Sequence, residues 1–338
     1  MITKRISKNL SDNVFIDIME FKALQSGTIG FDMMNIQRSL DVEFSETDFG
    51  YFNDIDDIET EFIHKVDLIQ SRMERVGNCN YPFNISDNGS RLHLKSDISD
   101  SGFIYLFCLL LSHPKEDDVL SGEYKPNITD IERRLFQSCS TVAASGLIKG
   151  NSISFGFPRP DNSSFLEKLK EVYALIGGSI IREKPLLASH QSVKDFKIDI
   201  IAWLRRSDVN VLERYFFAQV ASGFDWGDKA LSSETITSFH YLFFSEYPQG
   251  NIEKGMFIPF APEQKNQIVL DDYIRILEGQ YGTFHYRFSI PRHYNEGIKL
   301  SQQNNKLNID GISDFHKIKT WVSTEIKRIK SITTGTNR

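Results

Sequence analysis

The stretch 190–229 reads HQSVKDFKIDIIAWLRRSDVNVLERYFFAQVASGFDWGDK. Two apolar runs, Phe196 to Trp203 and Leu212 to Ala221, flank a polar turn. Runs of this length, rich in β-branched and aromatic residues, predict strands buried on both faces. Each run carries one conspicuous polar side chain, Asp199 in the first and Gln219 in the second. An ionisable Asp in such surroundings costs free energy unless a metal, a cation or a set of donors compensates it.

The flanking sequence supplies the rest of an α/β unit. Upstream, Asn162, Ser163 or Ser164 can cap a helix over 163–175, with Leu166, Leu169, Val172, Tyr173 and Ile176 as its apolar stripe. Gly177-Gly178 ends it, and Ser179-Ile180-Ile181 starts a strand. Downstream, Ile236, Phe239, His240, Phe243 and Phe244 fall at helical spacing within 232–247, and Met256 to Phe260 reads as a strand returning to the sheet. Further upstream, Thr129 or Asp130 caps a helix through Arg133, Arg134 and Phe136 to Ala144, stopped by Gly146. Gly150 to Pro160 (GNSISFGFPRP) reads as a loop, with Arg159 placed to touch a phosphate.

The N-terminal part differs in character. Residues 14–75 read as mostly helical, and Phe62 to Val76 carries an apolar stripe. Nine acids and no Lys or Arg lie between Arg38 and Lys65, a solvated acidic face or a docking surface for a basic partner. Asn88-Gly89 suits a hairpin turn between Phe83–Ile85 and Leu92–Leu94. Ser101 to Ser112 is a buried apolar helix ended at His113-Pro114, and adjacent side chains such as Ser112 and His113 do not make a nucleophile–base pair. The chain closes on an amphipathic helix over 313–330, with Ile318, Trp321, Val322, Ile326 and Ile329 inward and Lys317, Lys319, Lys327, Arg328 and Lys330 wet.

The 338 residues suffice for about two domains. The net charge of −6 is uneven: residues 1–130 hold 12 Lys/Arg against 23 Asp/Glu, and residues 131–338 hold 27 against 22. A nucleic-acid surface, if the chain has one, therefore belongs to the second part. Cys79, Cys108 and Cys139 are widely spaced, which fits neither a disulfide framework nor a zinc site. The longest apolar run, Phe103 to Leu111, is about half a membrane span. With no signal-peptide pattern at the start, these features read as a cytoplasmic protein that does not enter a membrane.

Glu167 before Gly178, then Ile198-Asp199-Ile200-Ile201, then Phe217-Ala218-Gln219-Val220-Ala221, resemble the restriction-endonuclease-like PD-(D/E)XK core over about 160–260. The resemblance implies an α/β class with a mixed-sheet αβββαβ core. It divides the chain into a mainly helical, acidic N-terminal region (1–125), a nuclease core (126–265) and an α+β C-terminal extension (266–338). It also implies Mg²⁺- or Mn²⁺-dependent hydrolysis of DNA phosphodiester bonds, in a prokaryotic anti-phage defence system. Asp199, Gln219 and Glu167 would be the metal ligands, with Glu171 as the alternative helix acid. The pattern departs at Ala221, where the family has a lysine. Lys229 would replace it, or Lys197 if strand alternation puts it on the face of Asp199. Asp195, His190 and Ser192 read as loop residues. The competing expectation is a catalytically degenerate subunit that binds DNA or a protein partner. A protein partner on the acidic N-terminal region and a homo-oligomer are both compatible with the sequence.

Overall fold

The structure is a computed structural model that describes residues 11–30, 55–86, 91–113, 119–120, 125–159, 161–187, 194–209, 211–262 and 269–335. The acidic run from Asp41 to Asp54, the Asn88-Gly89 turn, His190 and Ser192 lie outside them. The described residues group into two compact units. One is drawn from 1–129, 260–263 and 316–338, the other from 130–259 and 264–315. Among the described residues no helix is long and apolar enough to cross a membrane.

The first unit contains helices α1 (Asp12–Ser26), α2 (Ile55–Val76) and α3 (Asp100–Leu111), and strands β1 (Thr28–Gly30), β2 (Phe83–Ile85) and β3 (Arg91–Leu94). The strands form a small antiparallel sheet in the order β1-β3-β2, and the hairpin register sets Phe83 opposite Leu94 and Ile85 opposite Leu92. The Ser99 hydroxyl accepts the Gly102 amide and so starts α3, which is buried from Ile104 to Leu111. The last helix, α9 (Phe315–Gly335), buries Ile318, Val322, Ile326 and Ile329, and Trp321 meets Phe107 edge to face at 5.5 Å. Its wet cations are partly engaged: the Lys319 ammonium lies over the Phe103 ring, and Arg328 donates to Glu325 and to the Lys125 carbonyl.

A buried polar network ties the first unit together. Arg72 donates to Asp17 (2.5 Å), Glu20 (3.1 Å) and the side chain of Asn13 (2.9 Å). The Tyr81 and Tyr105 hydroxyls each donate to Glu20 at 2.7 Å, and His113 Nε2 lies 2.9 Å from Asp17. Arg72, Asp17, Glu20 and His113 are all at most 5% exposed. Burial alone would depress the Arg72 pKa, but Tyr105, Glu20 and Asp17 raise it well above its ordinary value. Ser112 turns back to the Cys108 carbonyl, away from any role beside His113.

The second unit is built on a five-stranded sheet in the order β10-β9-β7-β6-β4, comprising β4 (Asn151–Ser154), β6 (Ile200–Arg205), β7 (Leu212–Val220), β9 (Ile252–Phe257) and β10 (Thr283–His285). The strands β4, β6 and β7 are antiparallel neighbours, with Ile153 facing Ile201 and Ile201 facing Phe217. Helix α6 (Ser233–Phe243) precedes β9, which joins β7 in parallel, and α7 (Leu270–Tyr281) precedes β10, which joins β9 in parallel. The class is therefore α/β with a mixed sheet. Helices α5 (Phe165–Ile176) and α6 bury one face: Leu169, Val172, Phe239 and Phe243 share a core with Ile201, Trp203, Tyr215 and Phe217. Helix α4 (Asp130–Ile148) packs against the strands β4, β6 and β7, and α8 (Ile290–Gln303) packs against α4.

Four expectations change. Asn151–Ser154 is a strand within the glycine- and proline-punctuated stretch, too short to show a period. The strand at Ile180–Ile181 (β5) pairs only with β8 (Phe244–Glu246), outside the main sheet, so the first strand beside Asp199 is β4. Gly146 does not stop α4, because it serves packing: a Cβ there would lie 2.0 Å from the His293 carbonyl oxygen, and one on Gly297 would lie 2.2 Å from the Val142 oxygen. Phe196 and Lys197 have φ of 55° and 61°, so the strand starts only at Ile200 and alternation does not carry Lys197 to the face of Asp199.

Removing the cation of the buried network should be costly. Arg72→Ala leaves Asp17 and Glu20 buried near one another without their counter-charge, a loss of about 3–5 kcal/mol. The measurement is the urea midpoint followed by near-UV circular dichroism. A midpoint unchanged from wild type would show that the network does not hold α1 to α2.

Candidate active site around Asp199

Asp199 is presented by a strained turn. The Asp195 carboxylate accepts the Lys197 amide at 2.9 Å and the Asp195 carbonyl accepts the Ile198 amide at 3.0 Å, while Phe196 and Lys197 occupy the left-handed region. The Phe196 ring anchors the turn against Phe243 and Phe239, at 5.5 and 6.1 Å. The Asp199 amide then donates to the Ala218 carbonyl, and its own carbonyl accepts the Phe155 and Gly156 amides at 2.7 and 3.1 Å. Asp199 is thus sewn between the C-terminal ends of β4 and β7.

Its carboxylate is held as firmly as its backbone. Oδ2 accepts the Val220 amide at 2.8 Å, a bond from backbone to side chain where the ladder would continue. Oδ1 lies so near Gly156 that a Cβ there would sit 2.4 Å from it and 2.7 Å from the Gln137 side-chain nitrogen. Gln137 donates to the Ser154 hydroxyl at 2.7 Å. The helix that reaches Asp199 is therefore α4, through Gln137. Helical periodicity in the sequence gives no signal for this residue, because its partners come from two strands distant along the chain.

Burial raises the Asp199 pKa to about 7; the Val220 amide works against the shift, Asp195 adds to it, and Lys229 lowers it. Lys229, the candidate substitute for the lysine missing at Ala221, thus acts on Asp199. Its reach comes from a compact turn over 222–229: the Trp226 amide donates to Gly223, Asp228 to Asp225 and Lys229 to Trp226. Trp226 is anchored on Phe284 and Tyr281, at 5.5 and 5.6 Å. Lys229 Nζ lies 3.1 Å from Asp225 Oδ2 and remains part-exposed. Ala221 is sealed in the sheet, with its amide on the Phe257 carbonyl.

The other expected residues separate. Gln219 is buried beside Val220, and its Oε1 has no hydrogen-bond partner. Glu167 closes a capping box with Ser164 at the exposed start of α5; the Ser164 amide donates to its carboxylate at 2.8 Å and depresses its pKa. Glu171 accepts from Lys168 at 2.9 Å. Both helix acids are engaged within their own part of the chain. Arg159 is 5% exposed, lies over the Phe155 and Phe165 rings and donates to the Lys194 and Ser163 carbonyls, so it braces two loops instead of meeting a phosphate.

The Asp199 carboxylate oxygens lie among the Val220 amide, Gly156 and Gln137, and Gln219 Oε1 is a separate buried oxygen without a hydrogen-bond partner. Among the described residues no group of three or more His, Cys, Asp or Glu side chains is placed to hold a metal ion. A single carboxylate suits a cation that keeps several waters and takes further oxygens from a phosphate, as Mg²⁺ does, better than metals that need a full protein cage. Searches against protein-family models, curated proteins and solved structures return no match to this chain.

The raised pKa has a stability signature. Unfolded, Asp199 ionises near its ordinary value; folded, it keeps its proton to about pH 7. The native state therefore binds more protons between these values, and stability falls as pH rises through that window. Asp199→Asn keeps an acceptor for Val220 and removes the ionisation. In EDTA, its stability relative to wild type should rise by about 2–4 kcal/mol between pH 4 and pH 8. Urea titrations at the two pH values measure this, and a pH-independent difference would mean that Asp199 ionises normally.

Proposed function

We propose that the second unit is a divalent-cation-dependent nuclease that hydrolyses DNA phosphodiester bonds. One juxtaposition supports the reading: Asp199 stands where the second of three antiparallel strands begins, with the Lys229 charge acting on it. A helix leads into these strands, and a second helix leads on to a parallel fourth, which is the element order of the PD-(D/E)XK core. In this reading α4 is the leading helix and α5 an insertion between β4 and β6.

Bound Mg²⁺ would be held by the Asp199 carboxylate, with Gln219 as the second ligand the resemblance implies, and would supply an acidified water and neutralisation of phosphate charge. The chain's own groups have defined tasks. Val220 fixes one carboxylate oxygen and leaves the other facing Gly156 and the Gln137 amide. Lys229 supplies a fixed positive charge where a phosphate gains negative charge during cleavage. The role we assign is that of an effector in prokaryotic anti-phage defence, on the resemblance alone. A second reading, a degenerate nuclease fold that binds DNA or a protein partner, is favoured by Ala221 being sealed in the sheet and by Glu167 being tied to Ser164.

Plasmid degradation with Mg²⁺, Mn²⁺ or EDTA separates the two. The nuclease reading expects cutting with either metal and none in EDTA. Asp199→Ala should abolish cutting, and Lys229→Ala should slow it by about 10²-fold. Metal-dependent cutting that survives Asp199→Ala would move the site elsewhere. Absence of cutting by wild type in every condition would favour the binding subunit.

A further inference from the structure

We infer that Asp225 is a positioning residue for Lys229: it holds the ammonium within range of Asp199 and keeps it off that carboxylate. The inference rests on the nuclease reading and deepens it. Among the described residues, the acid that pairs with Lys229 is Asp225, whose Oδ2 lies 3.1 Å from Nζ. Both residues stand in the loop that leaves β7 after Val220. The Val220 amide binds the Asp199 carboxylate, so this loop starts at the site.

The loop is shaped around the pair. A Cβ on Gly223 would lie 2.4 Å from Asp225 Oδ1 and 4.0 Å from Lys229 Nζ, so the position is kept clear for them. The Trp226 amide donates to the Gly223 carbonyl at 3.3 Å and the Lys229 amide to the Trp226 carbonyl at 3.0 Å, which brings the two side chains together. Trp226 packs on Tyr281, and the Tyr281 hydroxyl donates to the Gly227 carbonyl at 2.8 Å, anchoring the turn. Helix α4 braces it as well. Arg133 donates to the Ser222 hydroxyl at 3.4 Å. The Lys229 hydrogen bond, and with it the Arg133 charge, holds the Asp225 carboxyl below its usual range. Gln137, one turn further along α4, reaches Ser154 and the Asp199 carbonyl.

Charges of alternating sign thus run through Asp199, Lys229, Asp225 and Arg133. A lysine is a point charge on a flexible four-carbon stem. Released from Asp225, Lys229 would either wander in solvent or close on Asp199 as its counter-ion. In neither place would it meet the charge that a phosphate gains during cleavage. Held at Asp225, it stays within electrostatic range of Asp199 without cancelling it. An exposed ion pair of this spacing adds little to stability. A glycine kept clear for the pair and a second cation acting on Asp225 point to the place of the lysine as what the arrangement secures.

The test has two readouts on the full chain. In EDTA, the nitrogen-15 spectrum of lysine-labelled protein should show the Lys229 ammonium, slowed in proton exchange by its bond to Asp225 and assigned by its loss in Lys229→Ala. Asp225→Asn and Gly223→Ala should each remove that signal, and Asp225→Asn should leave the thermal midpoint unchanged. With Mg²⁺, Asp225→Asn should lower kcat for plasmid cutting about 10-fold by misplacing the lysine, with KM unchanged. Added to Lys229→Ala it should cost nothing more, because it acts through that lysine, and Asp225→Glu should keep most of the rate. An ammonium signal missing from wild type or persisting in Asp225→Asn overturns the inference and leaves the nuclease reading standing. So does cutting by Asp225→Asn at or above the wild-type rate, or a loss that adds in full to that of Lys229→Ala. Absence of cutting by wild type with every metal overturns both.

Discussion

The hydrogen bond from the Val220 amide to the Asp199 carboxylate is the constraint on which the second unit's site depends. It ends the pairing of β6 with β7 and fixes an acid in the same act. A backbone donor satisfies one oxygen without supplying a counter-charge, so burial still dominates and the carboxyl titrates near neutrality. The left-handed residues Phe196 and Lys197 belong to the same arrangement, because only an abrupt turn brings Asp199 to the Ala218 carbonyl and the Val220 amide together. Strain of this kind persists where the surroundings over-determine it, here through Phe239 and Phe243.

The two units treat buried acids in opposite ways. In the first, Asp17 and Glu20 share the Arg72 guanidinium, and Glu20 also receives two tyrosine hydroxyls. That set has a cation at its centre and buries it almost fully. In the second, Asp199 has a lysine that acts on it and is itself bonded to Asp225, while Gln219 Oε1 nearby in the chain has nothing to accept from. That acid keeps a raised pKa because burial outweighs what its neighbours supply. The contrast separates Asp199 from the larger acidic cluster of the first unit.

Much of this was legible in the residues. Helix starts followed from local chemistry, as at Ser99 and Ser164, because a cap is an interaction within one turn. The strands Ile200–Arg205 and Leu212–Val220 stood out as apolar runs because both faces are covered. Lys229 was legible only as a charge near the right stretch. What stayed hidden depends on contacts between distant segments. Strand β4 has four residues, two of them serine, and is a strand because Trp203 and its neighbours pair with it. Gly146 looks like a stop until Gly297 is set beside it. Glu167 looks like a ligand because a capping box and a metal acid share one residue type, and only the geometry at Ser164 tells them apart. Gln137 had no local signature at all.

The glycine pair has a consequence for how this sequence can change. At Gly146 and Gly297 the backbones of α4 and α8 touch, and neither can accept a single carbon, since what stands in the way is main chain that no rotamer change can clear. Compensation by a smaller neighbour is therefore closed to both positions. Acids and loops of this chain can change more freely than either glycine, because nothing but glycine fits where main chain meets main chain. Two glycines at this interval, one in the helix before the sheet and one in a helix after it, are the mark by which to look for its kin.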